Sequence, residues 1–257
     1  MRRALPPLAV FCLVIAGCSS GSSKQPSQTL TVFAASSLSK AFNQIGSDFQ
    51  VTDPGVTVTF NYGASSELAS QIDSERTADV FASASGTWMD DVSTKVGVTG
   101  RVNFATNQLV IITPTSNPAG ITSIQDLAKP GVKLVLAAKG VPVGDYAVQA
   151  LTEAGIASKA AANVVSNEPD DASVVAKITS GEGDAAIVYV SDVNGTVATQ
   201  VKAIQIPTAV NVVATYPIAV VSGSKQATLG QSFIDYVAGT SGQATLALYG
   251  FLPPPTG

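Results

Sequence analysis

One junction in this chain constrains most of what can follow: a short apolar run stops at two serines and continues as a helix. Thr31 to Ala35 read as a buried strand, and from Leu38 the apolar positions Leu38, Ala41, Phe42, Ile45 and Phe49 recur at helical spacing. Ser36 and Ser37 occupy the turn between them. The start of a helix carries unpaired backbone N–H groups and the positive end of the macrodipole, so with two hydroxyls beside it this junction suits an anion. A serine in such a place ordinarily serves as an N-cap.

The same grammar repeats downstream. Val56 to Tyr62 alternate as a strand, Gly63-Ala64-Ser65-Ser66 follow, and a helix begins with Glu67 in its first turn. Ser65 and Ser66 are again candidate caps, with Glu67 a partner of the dipole. Ala78 to Ser83 form a third strand, Ser85 to Val92 a helix holding Trp88, and Gln108 to Thr113 a further strand. From about Ile121 to Thr215 a second set of units follows. Its strands are 133–137, 163–165, 185–190 and 202–206, and its helices lie near 143–154 and 170–180. Ile218 to Val221 read as a returning strand, with closing helices at 224–237 and 242–249. Strands alternating with helices imply an α/β fold with mostly parallel sheets. In open sheets of that kind, ligands sit beyond the carboxyl ends of the strands, so both serine junctions can face one crevice.

At 257 residues, 46% hydrophobic and 12% charged, the chain can bury a substantial core. Arg2 and Arg3 precede an apolar run from Leu8 to Ala16 that is too short to span a bilayer and has the form of a secretory signal, residues 1–17. Ile15-Ala16-Gly17-Cys18 resembles the bacterial lipobox, which makes Cys18 the lipid-modified mature N-terminus and places the protein outside the cytoplasm on the membrane. Residues 18–29 then form a Ser/Gly/Pro-rich tether, ten residues of which reach roughly 17 Å as a random coil. Cys12, the other cysteine, lies in the leader, so the mature chain has no disulfide. Without residues 1–17 the chain holds 12 basic and 18 acidic residues, a balance of −6, and shows no basic run, which argues against nucleic acid.

With no histidine and no mature cysteine beyond Cys18, the commonest general bases, nucleophiles and zinc ligands are missing. Ser37-Leu38-Ser39-Lys40 fits the Ser-x-x-Lys pattern of penicillin-binding enzymes, but no Lys-Thr-Gly accompanies it. Gly181-Glu182-Gly183-Asp184 precedes a strand instead of following one and is therefore a turn, not a dinucleotide fingerprint. No enzyme is expected.

Phe33-Ala34-Ala35-Ser36-Ser37-Leu38, Ala64-Ser65-Ser66-Glu67-Leu68-Ala69, Ala78-Asp79-Val80-Phe81, Trp88-Met89, Val141-Pro142-Val143-Gly144 and Ile187-Val188-Tyr189-Val190-Ser191-Asp192 stand in order along the chain. Together with the ending Tyr249-Gly250-Phe251 they resemble the periplasmic molybdate-binding proteins of ABC importers, from about Leu30 to Leu252. The resemblance implies a type II periplasmic binding protein fold, with two lobes joined by two crossover strands that act as a hinge. Lobe 1 would hold residues 30–110 and 217–257, and lobe 2 residues 111–216. It further implies a monomer that captures molybdate or tungstate as ligand, without a cofactor, and delivers it to a membrane permease. Sulfate or another oxyanion is the alternative ligand.

Carried onto this chain, the resemblance assigns the ligand to the hydroxyls of Ser37 and Ser65, the backbone N–H groups of Val143 and Asp171, and the hydroxyl of Tyr189. All are hydrogen-bond donors, which suits a fully deprotonated dianion and leaves the proton of hydrogen phosphate without an acceptor. Two positions depart from the family pattern. Val143 and Asp145 stand where alanine and a basic or neutral residue are usual, and Asp171 stands where an apolar residue is usual. Asp171, with Asp145, keeps open direct ligation of the metal or acceptance of a ligand proton. The expectation adopted is that the Asp171 side chain turns outward and caps its own helix, so that Asp171→Asn changes affinity by less than about threefold.

Overall fold

The computed structural model describes residues 28–255. The signal segment 1–17, Cys18 and most of the tether lie outside them. Among the described residues no helix is long and apolar enough to cross a membrane.

The chain opens with β1 (Gln28–Ala35), a single 3-10 turn at Ser36–Leu38, α1 (Ser39–Thr52), β2 (Val56–Gly63), α2 (Ser65–Glu75), β3 (Val80–Ala82) and α3 (Gly86–Lys95). β1 pairs in parallel with β2 on one side and with β3 on the other. The far wing contains β5 (Leu134–Ala137), α4 (Pro142–Glu153), α5 (Ala157–Ala161), β6 (Val164–Glu168), α6 (Asp171–Thr179) and β7 (Ala185–Tyr189), and there β5 pairs in parallel with β6 and β7. Two long strands connect the wings: β4 (Val98–Pro114) and β9 (Val213–Val221). Between them in sequence lie α7 (Val197–Gln200) and β8 (Val201–Gln205), and α8 (Ala227–Ala238) and α9 (Thr240–Leu248) end the fold.

Strand order is β2-β1-β3-β9-β4-β7-β5-β6, with β8 paired to β4. Every ladder that includes β4 or β9 is antiparallel. The mostly parallel sheet read from the strand–helix alternation therefore holds in each wing and gives way to antiparallel pairing at the centre. β4 pairs with β9 from Val98 to Gln108 and with β7 and β8 from Leu109 to Pro114, so one continuous strand serves both wings of a two-lobed fold.

The periodicity of α1 is matched by its burial: Ala41, Phe42, Ile45 and Phe49 are all inside. Phe42 meets Phe60, Phe104 and Phe233 at centroid distances of 6.1, 5.7 and 6.0 Å, which ties β2, β4 and α8 to the same face of the helix. Each tilted or edge-on aromatic pair adds roughly 0.5–1.5 kcal/mol beyond the area it buries. This packing fixes the angle at which β1 delivers Ser36 and Ser37 to the start of α1. The turn at 181–184 is also as read: Asp184 Oδ2 accepts from Lys133 N at 2.8 Å, tying the turn to the start of β5.

Candidate functional site

The carboxyl ends of β1, β2 and β3 from one wing and of β5, β6 and β7 from the other converge on one cleft, as expected for open α/β sheets. At its centre is a narrow cavity lined by Ser37, Ser65, Val143, Asp171 and Tyr189, with Ser36 and Ala84 beside them. All five residues singled out in the sequence thus border the same space, two from the first wing and three from the second.

The serines are not caps. Ala35 and Ala64 hold the N-cap positions of the 3-10 turn and of α2, and neither makes a side-chain cap bond. Ser37 and Ser65 come one or two residues later, where their hydroxyls turn to the cavity. Ser65 Oγ accepts from the N–H of Ala84 at 3.0 Å, which leaves its own proton free to donate. Ser37 Oγ lies 3.0 Å from the hydroxyl of Tyr216. The Ser-x-x-Lys pattern is not assembled, because Lys40 Nζ donates to the carbonyl of Asn194 at 3.2 Å instead.

Val143 lies in the first turn of α4, where amide protons have no acceptor within the helix. Pro142 precedes it as the first helical residue, a place where its missing N–H is not needed. Gly144 explains how close this turn comes to the sheet: a Cβ there would lie 2.4 Å from the carbonyl oxygen of Ala137 and 2.6 Å from that of Ala138. Asp145 is exposed, and its Oδ1 accepts from Gly140 N at 3.0 Å, so it braces the β5–α4 loop and does not line the cavity.

Tyr189 is 1% exposed at the end of β7, and its hydroxyl has no hydrogen-bond partner among the described residues. A tyrosine buried only for packing would have its hydroxyl satisfied locally, and this one does not. A buried phenol left unpaired costs about 1–3 kcal/mol. Tyr189→Phe is therefore expected to stabilise the ligand-free protein by about 1 kcal/mol while weakening ligand binding, checked by thermal melts with and without ligand. A variant that loses stability in both states would mean that the hydroxyl has no ligand-facing role.

Asp171 corrects the sequence reading. Asp170, in extended backbone, is the N-cap of α6, and its Oδ1 accepts from Ser173 N at 2.7 Å. Asp171 is then the first helical residue and faces inward: it is 4% exposed and its Oδ1 accepts from the hydroxyl of Ser36 across the cleft. Burial pushes its carboxyl well above the usual range, helped by the charge of Asp192 and a hydrogen bond to it. Burial likewise raises Asp192, to about 6, against the opposing hydrogen bonds from Asp171 and from the Tyr189 N–H and the nearby charge of Lys40. The two acids form a buried pair in which both carboxyls are raised, Asp171 the more strongly. A second crevice adjoins on this side, lined by Ser36, Lys40, Asp171, Ser191 and Asp192.

A further contact crosses the cleft beside the cavity: Trp88 Nε1 donates to the carbonyl of Gly140 at 2.9 Å. Trp88 and Asp192 both stood in stretches that carried the resemblance, whereas Tyr216 gave no motif signal.

A family model described as bacterial extracellular solute-binding protein matches residues 30–252. The molybdate-binding protein ModA of Mycobacterium tuberculosis is 40% identical over 231 residues, covering 90% of this chain and 87% of that protein. The molybdate-binding protein ModA of Haemophilus influenzae is 31% identical over 248 residues, covering 93% and 95%. The solved periplasmic molybdate-binding protein of Azotobacter vinelandii superposes with a TM-score of 0.78 at 19% identity, over 88% of this chain and 100% of that one, which shows the shared two-lobed fold. The sequence match, the fold and the cleft between the wings agree: this chain belongs to the bacterial extracellular solute-binding proteins.

Proposed function

We propose that this protein captures molybdate, with tungstate as an equivalent ligand, and delivers it to the permease of an ABC importer without catalysing a reaction. The observation that carries this reading is the donor set of the cavity. Ser65, with its acceptor capacity already used by Ala84 N–H, the unpartnered phenol of Tyr189 and the first-turn amides of α4 and α6 all offer protons to one small space. No lysine or arginine lines that space, so charge is met by dipoles, as a dianion in a dry site requires. Names of the relatives at 40% and 31% identity support the choice of molybdate.

In this reading Ser37, Ser65 and Tyr189 donate through side chains, and Val143 and Asp171 through the backbone. Residues 30–110 and 217–257 form one lobe and 111–216 the other, with β4 and β9 as the hinge. Export by residues 1–17, a lipid on Cys18, residues 18–29 as tether and a monomeric state complete it. The Asp171 carboxyl at the cavity wall favours one second reading, a singly protonated oxyanion such as hydrogen phosphate, whose proton that carboxylate would accept.

Titration calorimetry with molybdate, tungstate, sulfate and phosphate separates these readings. Saturable binding of molybdate and tungstate, without turnover and without binding of phosphate, is expected. Sulfate binding as tightly as molybdate would overturn the choice of ligand. Phosphate binding that disappears in Asp171→Asn would establish the second reading.

A further inference from the structure

The hydroxyl of Ser37 has one proton, and whether it helps or hinders an anion depends on where that proton points. Its recorded partner is Tyr216, a residue of the crossover strand β9, 0% exposed and 3.0 Å away oxygen to oxygen. If Ser37 donated to Tyr216, a lone pair would face the ligand. If Tyr216 donates to Ser37, the serine proton is released toward the cavity.

The surroundings decide the direction. Asn107, on the other crossover strand β4, is 0% exposed and its amide is oriented at both ends. Its Oδ1 accepts from Gln108 N at 2.9 Å, and its Nδ2 donates to Ser191 Oγ at 2.8 Å. Asn107 is thus engaged with Gln108 and Ser191, and among the described residues the hydrogen-bond partner of the Tyr216 hydroxyl is Ser37 Oγ. A buried phenol must also place its own proton, and Ser37 Oγ is the acceptor recorded within reach. The order of donors then runs from Tyr216 to Ser37 and on to the ligand.

We propose that Tyr216 is a positioning residue for the oxyanion site: from the hinge strand it donates to Ser37 Oγ and so turns the serine proton toward the ligand. Ser65 has no such dependence, since Ala84 N–H orients it. The proposal rests on the reading of this cavity as an oxyanion site, and it assigns the hinge a chemical part in binding as well as a mechanical one.

Tyr216→Phe removes one oxygen and keeps the ring, whose edge-on packing against Phe104, Tyr189 and Phe251 at 6.3, 5.8 and 5.3 Å holds it in place. The test is a pair of double-mutant cycles read by calorimetry, run with whichever of molybdate, tungstate or sulfate the parent binds, so that a wrong ligand choice leaves the test intact. Tyr216→Phe alone is expected to weaken binding about tenfold. In a Ser37→Ala background it should change affinity by less than about twofold, because the group it orients is gone. In a Ser65→Ala background the full tenfold should return, since independent sites add. Thermal melts of the ligand-free variants accompany the cycles. Equal effects of Tyr216→Phe in all three backgrounds would show that it does not act through Ser37 and would overturn the proposal, as would an unchanged affinity in the single variant.

Discussion

Ser37→Ala and Ser65→Ala each weaken oxyanion binding by about 1.5–3 kcal/mol, the range for a hydrogen bond to a charged group. That is roughly 10-fold to 150-fold in Kd, measured by calorimetry. The range applies because each hydroxyl has its other hydrogen-bonding capacity engaged, Ser37 by Tyr216 and Ser65 by Ala84 N–H, so the proton has the cavity as its outlet. The fold survives both changes, and each lowers the stability of the ligand-free protein by about 1 kcal/mol, because Ser65→Ala leaves the buried Ala84 N–H without its acceptor and Ser37→Ala leaves the buried Tyr216 hydroxyl without its partner. Variants that melt lower yet bind with parental affinity would return both serines to a purely structural role.

The sequence disclosed these two residues because their signal is local. A strand that stops at two serines and resumes at helical spacing is visible in about ten residues, and the buried face of α1 follows from its periodicity alone. What stayed hidden depends on partners far along the chain. The first half of β4, Val98 to Gln108, is polar and exposed over much of its length and is held by β9, not by an apolar pattern, so only Gln108 to Thr113 read as strand. The start of β9 was obscured by Pro217, which faces Asn103 beside a register shift, where a residue without an N–H is tolerated. Asp171 misled for a reason of one residue. Asp170 and Asp171 both satisfy the rule that acids open helices, and only the backbone conformation shows which one caps and which one turns inward. Tyr216 carries no motif at all, and its importance arises from β9 placing it against Ser37, 179 residues away.

Oxyanion affinity is expected to fall as pH rises from 6 to 8, because the site already contains an acid pair. Asp171 is held well above the usual carboxylate range and Asp192 rises to about 6, both chiefly through burial. A dianion placed against Asp171 raises both values further, since two unit charges about 4 Å apart repel by about 4 kcal/mol at an effective dielectric of 20. Binding then takes up a proton wherever the ligand-free pair has lost one, and each proton taken up weakens binding by as much as tenfold per pH unit. The same shifts set the stability of the ligand-free protein. Between the unfolded carboxylate value near 4 and about 6 the folded state holds more protons than the unfolded state, so stability falls as pH rises through that window. Asp171→Asn keeps the backbone N–H and behaves as a carboxyl that cannot ionise. It should therefore match the parent within about threefold where the parent carboxyl is neutral, and bind more tightly with a flatter pH profile where rising pH ionises that carboxyl. The threefold bound expected from an outward-facing Asp171 thus survives only on the acid side, for a different reason: there the parent carboxyl is already neutral. A parent Kd that does not change between pH 6 and 8 would show that the pair is not linked to the ligand. A hundredfold loss in Asp171→Asn at both pH values would instead place the carboxylate on the metal itself, and X-ray absorption would then count more than four oxygens around it.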